Sequence, residues 1–436
     1  MTSAGGTNRK SLTKALSILL AITVLGSGCA TLKKGITHRD YRQSAEQQGP
    51  ANFAMNYTMR NSLVIDPARL ESFVFEASLA SGPVEVVYQA GLEAQARSAA
   101  EDIADQAAYL VEKLGLEFAT TIKAYMIRLD YLPGTLEVQF PKDTNQVRLP
   151  LFVMYNNESW ESVRDSNLAY PYAFAHELIE YILVEPTQKS PVLMDLQRPF
   201  IKVCHYTRWF REGLAGYGQL LVYRRACANR SAEAIGSAIS PLQSNTIPQQ
   251  PLSSLAKVNT DLFSWVSFDN DKFDAQLASD YYSAALGLFL LIENQFGEDA
   301  ARRIVSNLSS RSYLDGKTLF DIFNQTLDTD IRTLVAQFTW PQIGLIARDL
   351  TPALRKNRGL EVAAGLLITE IKEGTPAAAA GLRQNDVIVA IGERRITNLL
   401  DLELALLAIG EQEQISVAVD RDGTAQIFPL SLHSKQ

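Results

Sequence analysis

The period of apolar and polar positions changes along the chain, and each change marks an element. VEVVYQA at 84–90 is rich in β-branched and aromatic residues and predicts a strand. EAQARSAAEDIADQAAYLVEKLG at 93–115 is built of strong helix formers and predicts a helix that Gly115 stops. ATTIKAYMI at 119–127 and NQVRLPLFVMYN at 145–156 read as further strands. Pro171 suits the first turn of a helix running to about Val184, which Pro186 ends. A second helix is expected over 207–226, followed by a loop rich in Ser, Pro, Gln and Asn at 237–254. From 280 to about 346 the period is helical. YYSAALGLFLLIENQFG is strongly apolar and closes on Gly297, and EDAARRIVSNL and LFDIFNQTL follow as amphipathic helices.

The pattern shifts at TPALRKNRG (351–359), which reads as a linker. Beyond it GLLITEI, DVIVAIGERRI and QISVAVDRDGTAQIFPLSL read as strands, interrupted by one helix, LLDLELALLAI. The expected fold class is α+β. A domain at 84–350 has a largely helical C-terminal half, and a small β-rich domain fills 351–436. A lead-in at 29–83 contains the polar run HRDYRQSAEQQGP.

Composition fits this picture. The 436 residues are 47% hydrophobic and 20% charged, an ordinary globular balance. The net charge of −7 argues against a nucleic-acid partner. Residues 1–28 change the picture most. Arg9, Lys10 and Lys14 precede the apolar run ALSILLAITVL, which is short for a membrane span, and then GSGCA. This segment resembles a bacterial lipoprotein signal, although Gly26 stands where the usual motif has Leu. The resemblance implies a lipid on Cys29 and a membrane-anchored protein in the cell envelope, at the periplasmic side of the outer membrane. The alternative is an ordinary signal peptide cut nearby. Cys204 and Cys227 pair or remain thiols on either reading.

The chemistry concentrates on AFAHELIEYILVE (173–185). Phe174, Ala175, Leu178, Ile179, Ile182 and Leu183 form one apolar stripe. His176 and Glu180 lie four residues apart and point the same way, with Glu177 beside them. Two ligands one turn apart suit a metal, and the adjacent glutamate suits proton transfer from an attacking water. A solvated acidic edge carrying one histidine would show the same pentapeptide.

TRWFREGLAGYGQLL (207–221) resembles the W-x-x-E-G-x-A-x-Y segment of gluzincin peptidases, through Trp209, Glu212, Gly213, Ala215 and Tyr217. The resemblance, extended by ASDYYSAALGLFLLIENQFGEDAARRIVSNL, implies a zincin-like domain of the peptidase-MA-like and glycyl-aminopeptidase-like kind. It implies His176, Glu180 and Glu212 as metal ligands, Glu177 as general base, and Tyr281 or Tyr282 as an oxyanion stabiliser. Small residues at 213, 215 and 216 are expected to let this helix approach the one bearing His176. Glu180 departs from the family, which has histidine there. A His–Glu–Glu set suits Zn²⁺, but its second carboxylate lowers Lewis acidity and favours harder ions such as Mn²⁺ or Fe²⁺. His205 is a nearby substitute ligand or a structural residue.

GLLITEIKEGTPAAAAGLRQNDVIVAIGERRITNLLDLELAL (365–406) resembles a bacterial PDZ domain of the HtrA and C-terminal-processing protease type. The resemblance implies an extended peptide or protein C-terminus as partner, its carboxylate held near Gly359, Leu360, Glu361 and Val362. The groove helix would be 399–409. Two functions remain open, with a site that binds metal without hydrolysis as a weaker third. One is a lipid-anchored metallopeptidase with a PDZ domain. The other is a metal-free pseudopeptidase acting as a tethered PDZ adaptor.

Overall fold

The computed structural model describes residues 70–76, 83–116, 122–128, 151–155, 175–176, 178–179, 200–228, 247–265, 275–309, 316–409 and 414–432. Its first layer is a four-stranded sheet in the order β1 (Leu70–Phe75), β2 (Val84–Gln89), β3 (Ile122–Arg128), β4 (Leu151–Tyr155). The β1–β2 pair is antiparallel, and β2–β3 and β3–β4 are parallel. Helix α1 (Glu93–Leu114) makes the crossover from β2 to β3. Its buried stripe is mostly small, with Ala96, Ala99, Ala100 and Ala107 beside Ile103, Leu110 and Leu114, which lets the helix lie close to the sheet. Gly115 ends it in the left-handed conformation and donates to the Val111 carbonyl. Strand β1 lies in what the sequence suggested was lead-in, so this domain begins at least as early as Leu70.

A helical layer follows. It comprises α2 (Phe200–Ala228), α3 (Pro251–Val258), a 3₁₀ turn (Asn259–Ser264), α4 (Ala275–Phe296), α5 (Ala300–Ser309), α6 (Gly316–Leu327) and α7 (Ile331–Gln337). Trp209 of α2 is fully buried, and its ring meets Phe263, Phe320 and Phe323 at 5.1, 5.6 and 5.2 Å between centroids. That aromatic knot joins α2 to α6 and the 3₁₀ turn. Close crossings are set by glycines. A Cβ on Gly287 would meet the Pro251 carbonyl oxygen at 2.1 Å, so α3 lies directly on α4. Gly213 and Gly216 face α4, not the helix bearing His176 as expected. Gly218 makes that approach instead, where a Cβ would fall 2.1 Å from Ile179 Cδ1.

The second domain is a sheet in the order β10 (Thr424–Ser431), β9 (Gln414–Arg421), β7 (Val387–Ile391), β6 (Leu366–Ile371), β5 (Leu345–Asp349), with β8 (Arg394–Arg395) paired to β7. Helices α8 (Pro352–Arg358), α9 (Pro376–Ala379) and α10 (Leu399–Ile409) complete it. Two expectations are corrected here. The helical period does not reach Ile346, because 345–349 pairs with β6 as an edge strand, so this domain starts before 351. The supposed linker is helix α8. The Thr351 hydroxyl caps its start by accepting from the Leu354 amide, Pro352 opens it and Gly359 ends it. Inside the sheet, Arg421 grips the buried Asp386 with two bonds of 2.7 Å, and the Arg383 amide adds a third at 2.8 Å.

The two domains meet through α10. Leu402, Ala405, Leu406 and Ile409 face the β-rich core, while Leu400, Leu404 and Leu407 pack on the helical domain. Glu403 reaches across the junction. Its carboxylate accepts from the Leu252 amide at 2.7 Å and the Ser253 amide at 3.1 Å, capping α3, whose Gln250 provides no side-chain cap.

Cys204 and Cys227 both lie on α2, and at 1.5 Å per residue they stand roughly 34 Å apart, far beyond disulfide reach. Among the described residues, no helix is long and apolar enough to cross a membrane. Cys29 and the rest of the lipoprotein-like segment lie outside the described residues.

Candidate functional site

Helix α2 supplies most of the first site. Spacing of four residues puts Arg208 and Glu212 on one face. Gly218, further along α2, admits Ile179 and so brings the helical segment carrying His176 alongside. Glu212 is buried, with its side chain 2% exposed, and its Oε2 lies 3.5 Å from His176 Nε2. Its other oxygen, Oε1, lies 3.3 Å from Arg208 Nη2. Burial alone would raise the Glu212 carboxyl, but Arg208, His176 and Arg211 outweigh it and hold the group ionised below the usual carboxylate range.

Arg208 is itself held. Its guanidinium lies 4.8 Å from the Trp265 ring centroid and 5.2 Å from that of Tyr282, and it donates to the Tyr282 hydroxyl. The structure therefore links Tyr282, Arg208, Glu212 and His176 in one chain of contacts. The Tyr281 ring lies tilted against Trp265, 5.6 Å between centroids, and burial, with Asp261 second, raises its hydroxyl. Arg208 and Trp265 were not singled out from the sequence. The four-residue spacing to Glu212 was a signal for Arg208; Trp265 had none. Glu177, Glu180 and the His205 side chain lie outside the described residues. Among the described residues, no three His, Cys, Asp or Glu side chains gather as a metal-holding group.

The His176–Glu212 pair suits a metal in donor chemistry and spacing. Zinc takes imidazole nitrogen and carboxylate oxygen at about 2.0–2.2 Å.

The second site lies in the β-rich domain. Among the described residues strand β5 is an edge, paired to β6 alone, while β6 is an inner strand paired on both sides. Gly359, Leu360, Glu361 and Val362 lead into β6. Leu360 and Val362 pack with Leu350, Leu367 and Val387, and Gly359 is the left-handed end of α8. An added peptide strand has no free edge there, so strand addition points to β5 and to residues 340–344 before it. The facing wall is α10. Asp401 of α10 lies near Arg394 of β8, Leu406 points into the β-rich core, and Glu403 turns to the start of α3. Asp349, at the end of β5, accepts from the Leu399 amide at 2.9 Å.

Residues 341–432 match the PDZ domain family, so the C-terminal module is a PDZ domain, a peptide-binding class. Among curated relatives, serine protease Do-like HtrA of Lactococcus lactis subsp. lactis is 32% identical over 71 residues, 16% of this chain and 17% of that protein. The probable periplasmic serine endoprotease DegP-like of Chlamydia pneumoniae is 28% identical over 109 residues, 25% of this chain and 22% of that protein. The chain spans about a fifth of the length of these relatives. Among solved structures, the HtrA3 PDZ domain bound to a phage-derived ligand is 25% identical, covers 20% of this chain and 81% of its own, and has a TM-score of 0.19. An aminopeptidase N family protein from Idiomarina loihiensis is 14% identical, covers 83% of this chain and 66% of its own, and has a TM-score of 0.43.

Proposed function

We propose that this chain is a lipid-anchored, metal-dependent peptidase of the bacterial envelope with a PDZ domain that recognises peptide or protein C-termini. The observation that carries the reading is the placement of His176 Nε2 3.5 Å from the buried, ionised Glu212 carboxylate on a neighbouring helix. One residue from each of the two motifs that resemble the gluzincin pattern, His176 and Glu212, meets there. His176 and Glu212, with Glu180, would hold zinc or a harder ion such as manganese or iron. Such an ion supplies Lewis acidity to the scissile carbonyl and to the attacking water. Glu177 accepts the water's proton and passes it to the leaving amine. Tyr282 donates a hydrogen bond to the oxyanion, and the Arg208 guanidinium against its hydroxyl favours that donation. The lipid anchor on Cys29 rests on the sequence of residues 15–29, and the periplasmic relatives of the PDZ domain support an envelope location.

The test of catalysis is turnover of an unstructured peptide pool by the purified chain and its Glu177→Gln variant. Wild type should cleave, and the variant should keep its metal and lose at least about a hundredfold in rate, as expected for a lost general base. Equal rates would remove Glu177 from the mechanism.

A second reading is favoured by one observation. Arg208 already places positive charge 3.3 Å from Glu212, so the carboxylate is neutralised without a metal. On that reading the protein is an inactive peptidase relative serving as a tethered PDZ adaptor. A metal-free, inactive wild type that still captures peptides would establish it.

A further inference from the structure

We propose that Arg208 is a positioning residue for Glu212, fixing the carboxylate so that one oxygen is left for a metal shared with His176. The inference rests on the metallopeptidase reading. Its basis is the division of the two oxygens: Oε1 goes to Arg208 Nη2 at 3.3 Å, and Oε2 to His176 Nε2 at 3.5 Å. A carboxylate turned partway about its last bond would face neither partner squarely. A planar cation fixed against one oxygen holds the other in line with His176.

Arg208 meets the requirement of being fixed itself. Its side chain is 11% exposed, lies against the faces of Trp265 and Tyr282, and donates to the Tyr282 hydroxyl. Its rotamer freedom is spent on those contacts before Glu212 is engaged. A lysine there would keep the charge but lose the planar contact with both rings.

The charge has a second effect. A His–Glu–Glu set brings two carboxylates to the ion where a His–His–Glu set brings one. A guanidinium against Glu212 withdraws electron density from that ligand and offsets the surplus. Groups that support a ligand in this way commonly change metal affinity by about 10–100-fold when removed.

The test is zinc affinity of the full chain, stripped with chelator and titrated against a chromogenic competitor. Wild type, Arg208→Gln, Arg208→Lys and Tyr282→Phe are compared, with near-ultraviolet circular dichroism reporting the aromatic packing. Arg208→Gln should weaken zinc by about 10–100-fold, and Arg208→Lys should recover part of the loss. Tyr282→Phe, which removes one hydroxyl, should weaken it several-fold and decides the matter if Arg208→Gln does not fold. Zinc binding by wild type with unchanged or tighter binding in a folded Arg208→Gln, or in Tyr282→Phe where Arg208→Gln is unfolded, overturns the role of Arg208 alone. No zinc binding by wild type overturns the metallopeptidase reading itself.

Discussion

Two buried carboxylates in this molecule each face an arginine, and they are built differently. In the PDZ domain, Asp386 receives two guanidinium bonds of 2.7 Å from Arg421 and the Arg383 amide at 2.8 Å. In the helical domain, Glu212 gives one oxygen to Arg208 at 3.3 Å and turns the other to His176. The first pair ties the β7 end to β9 and is saturated by structure. The second is looser and divides its oxygens between a cation and an imidazole. Both oxygens of Asp386 are filled by the fold, whereas Glu212 directs one oxygen at an imidazole, which is the arrangement the proposed metal site needs.

The comparison breaks most directly at Asp386. Asp386→Ala leaves Arg421 its bond to the Gly381 carbonyl but removes both bonds to the carboxylate and the acceptor of the Arg383 amide, a loss of about 3 kcal/mol for a partly buried pair. Hydrogen exchange in β6, β7 and β9 should accelerate strongly, while fluorescence from Trp209 and Trp265 in the helical domain should keep its own transition. Wild-type protection in the PDZ strands would show that this pair is not structural.

A smaller effect is expected where the domains meet. Glu403→Ala leaves the Leu252 and Ser253 amides at the start of α3 without their cap, for a loss of about 2 kcal/mol. Exchange at those two amides is the readout, and the loss should be felt in both domains. An effect confined to the PDZ domain would argue that α10 does not couple them.

A separate effect is in pH dependence. Burial pushes the Glu403 carboxyl up to about 7 against its bonds to Ser253 and Leu252, and burial pushes Asp349 to about 6 against the Leu399 amide. Both folded values exceed the unfolded ones, so folding takes up protons between them. This contribution is fully present below the ordinary carboxylate range, is lost as pH rises through 6 to 7, and is constant above. Glu403→Gln should flatten the upper part of that slope in melting temperatures measured from pH 4 to 8. An unchanged slope would contradict the assignment.

Much of the fold was legible in the sequence. The PDZ helix at 399–409 was bounded as the structure has it, and the strand–helix–strand start was readable from its apolar period and Gly115. Strand β5 was not, because LIARD is short, half exposed and mixes charge with apolar residues. Misreading it moved the domain boundary and placed the peptide loop at 359–362, before an inner strand. Helix α8 carried its Thr-Pro and Gly signals, yet buries none of its residues, and its charges read as a linker. Helix α3 hid in a Pro- and Gln-rich stretch, and its cap comes from Glu403, 151 residues along the chain from Leu252, which no local pattern reveals. At the candidate site, Glu212 was legible through its motif. Its company was not, since Trp265 and Tyr282 reach Arg208 only through the tertiary packing of α4 and the 3₁₀ turn on α2.

The central claim is that His176 and Glu212 hold one metal ion. Metal content of the full chain, purified without chelator and measured by mass spectrometry alongside His176→Ala and Glu212→Ala, tests it most directly. The account predicts about one ion per wild-type chain and loss in both variants, with both still folded. Metal-free wild type, or an ion retained in both variants, would contradict it.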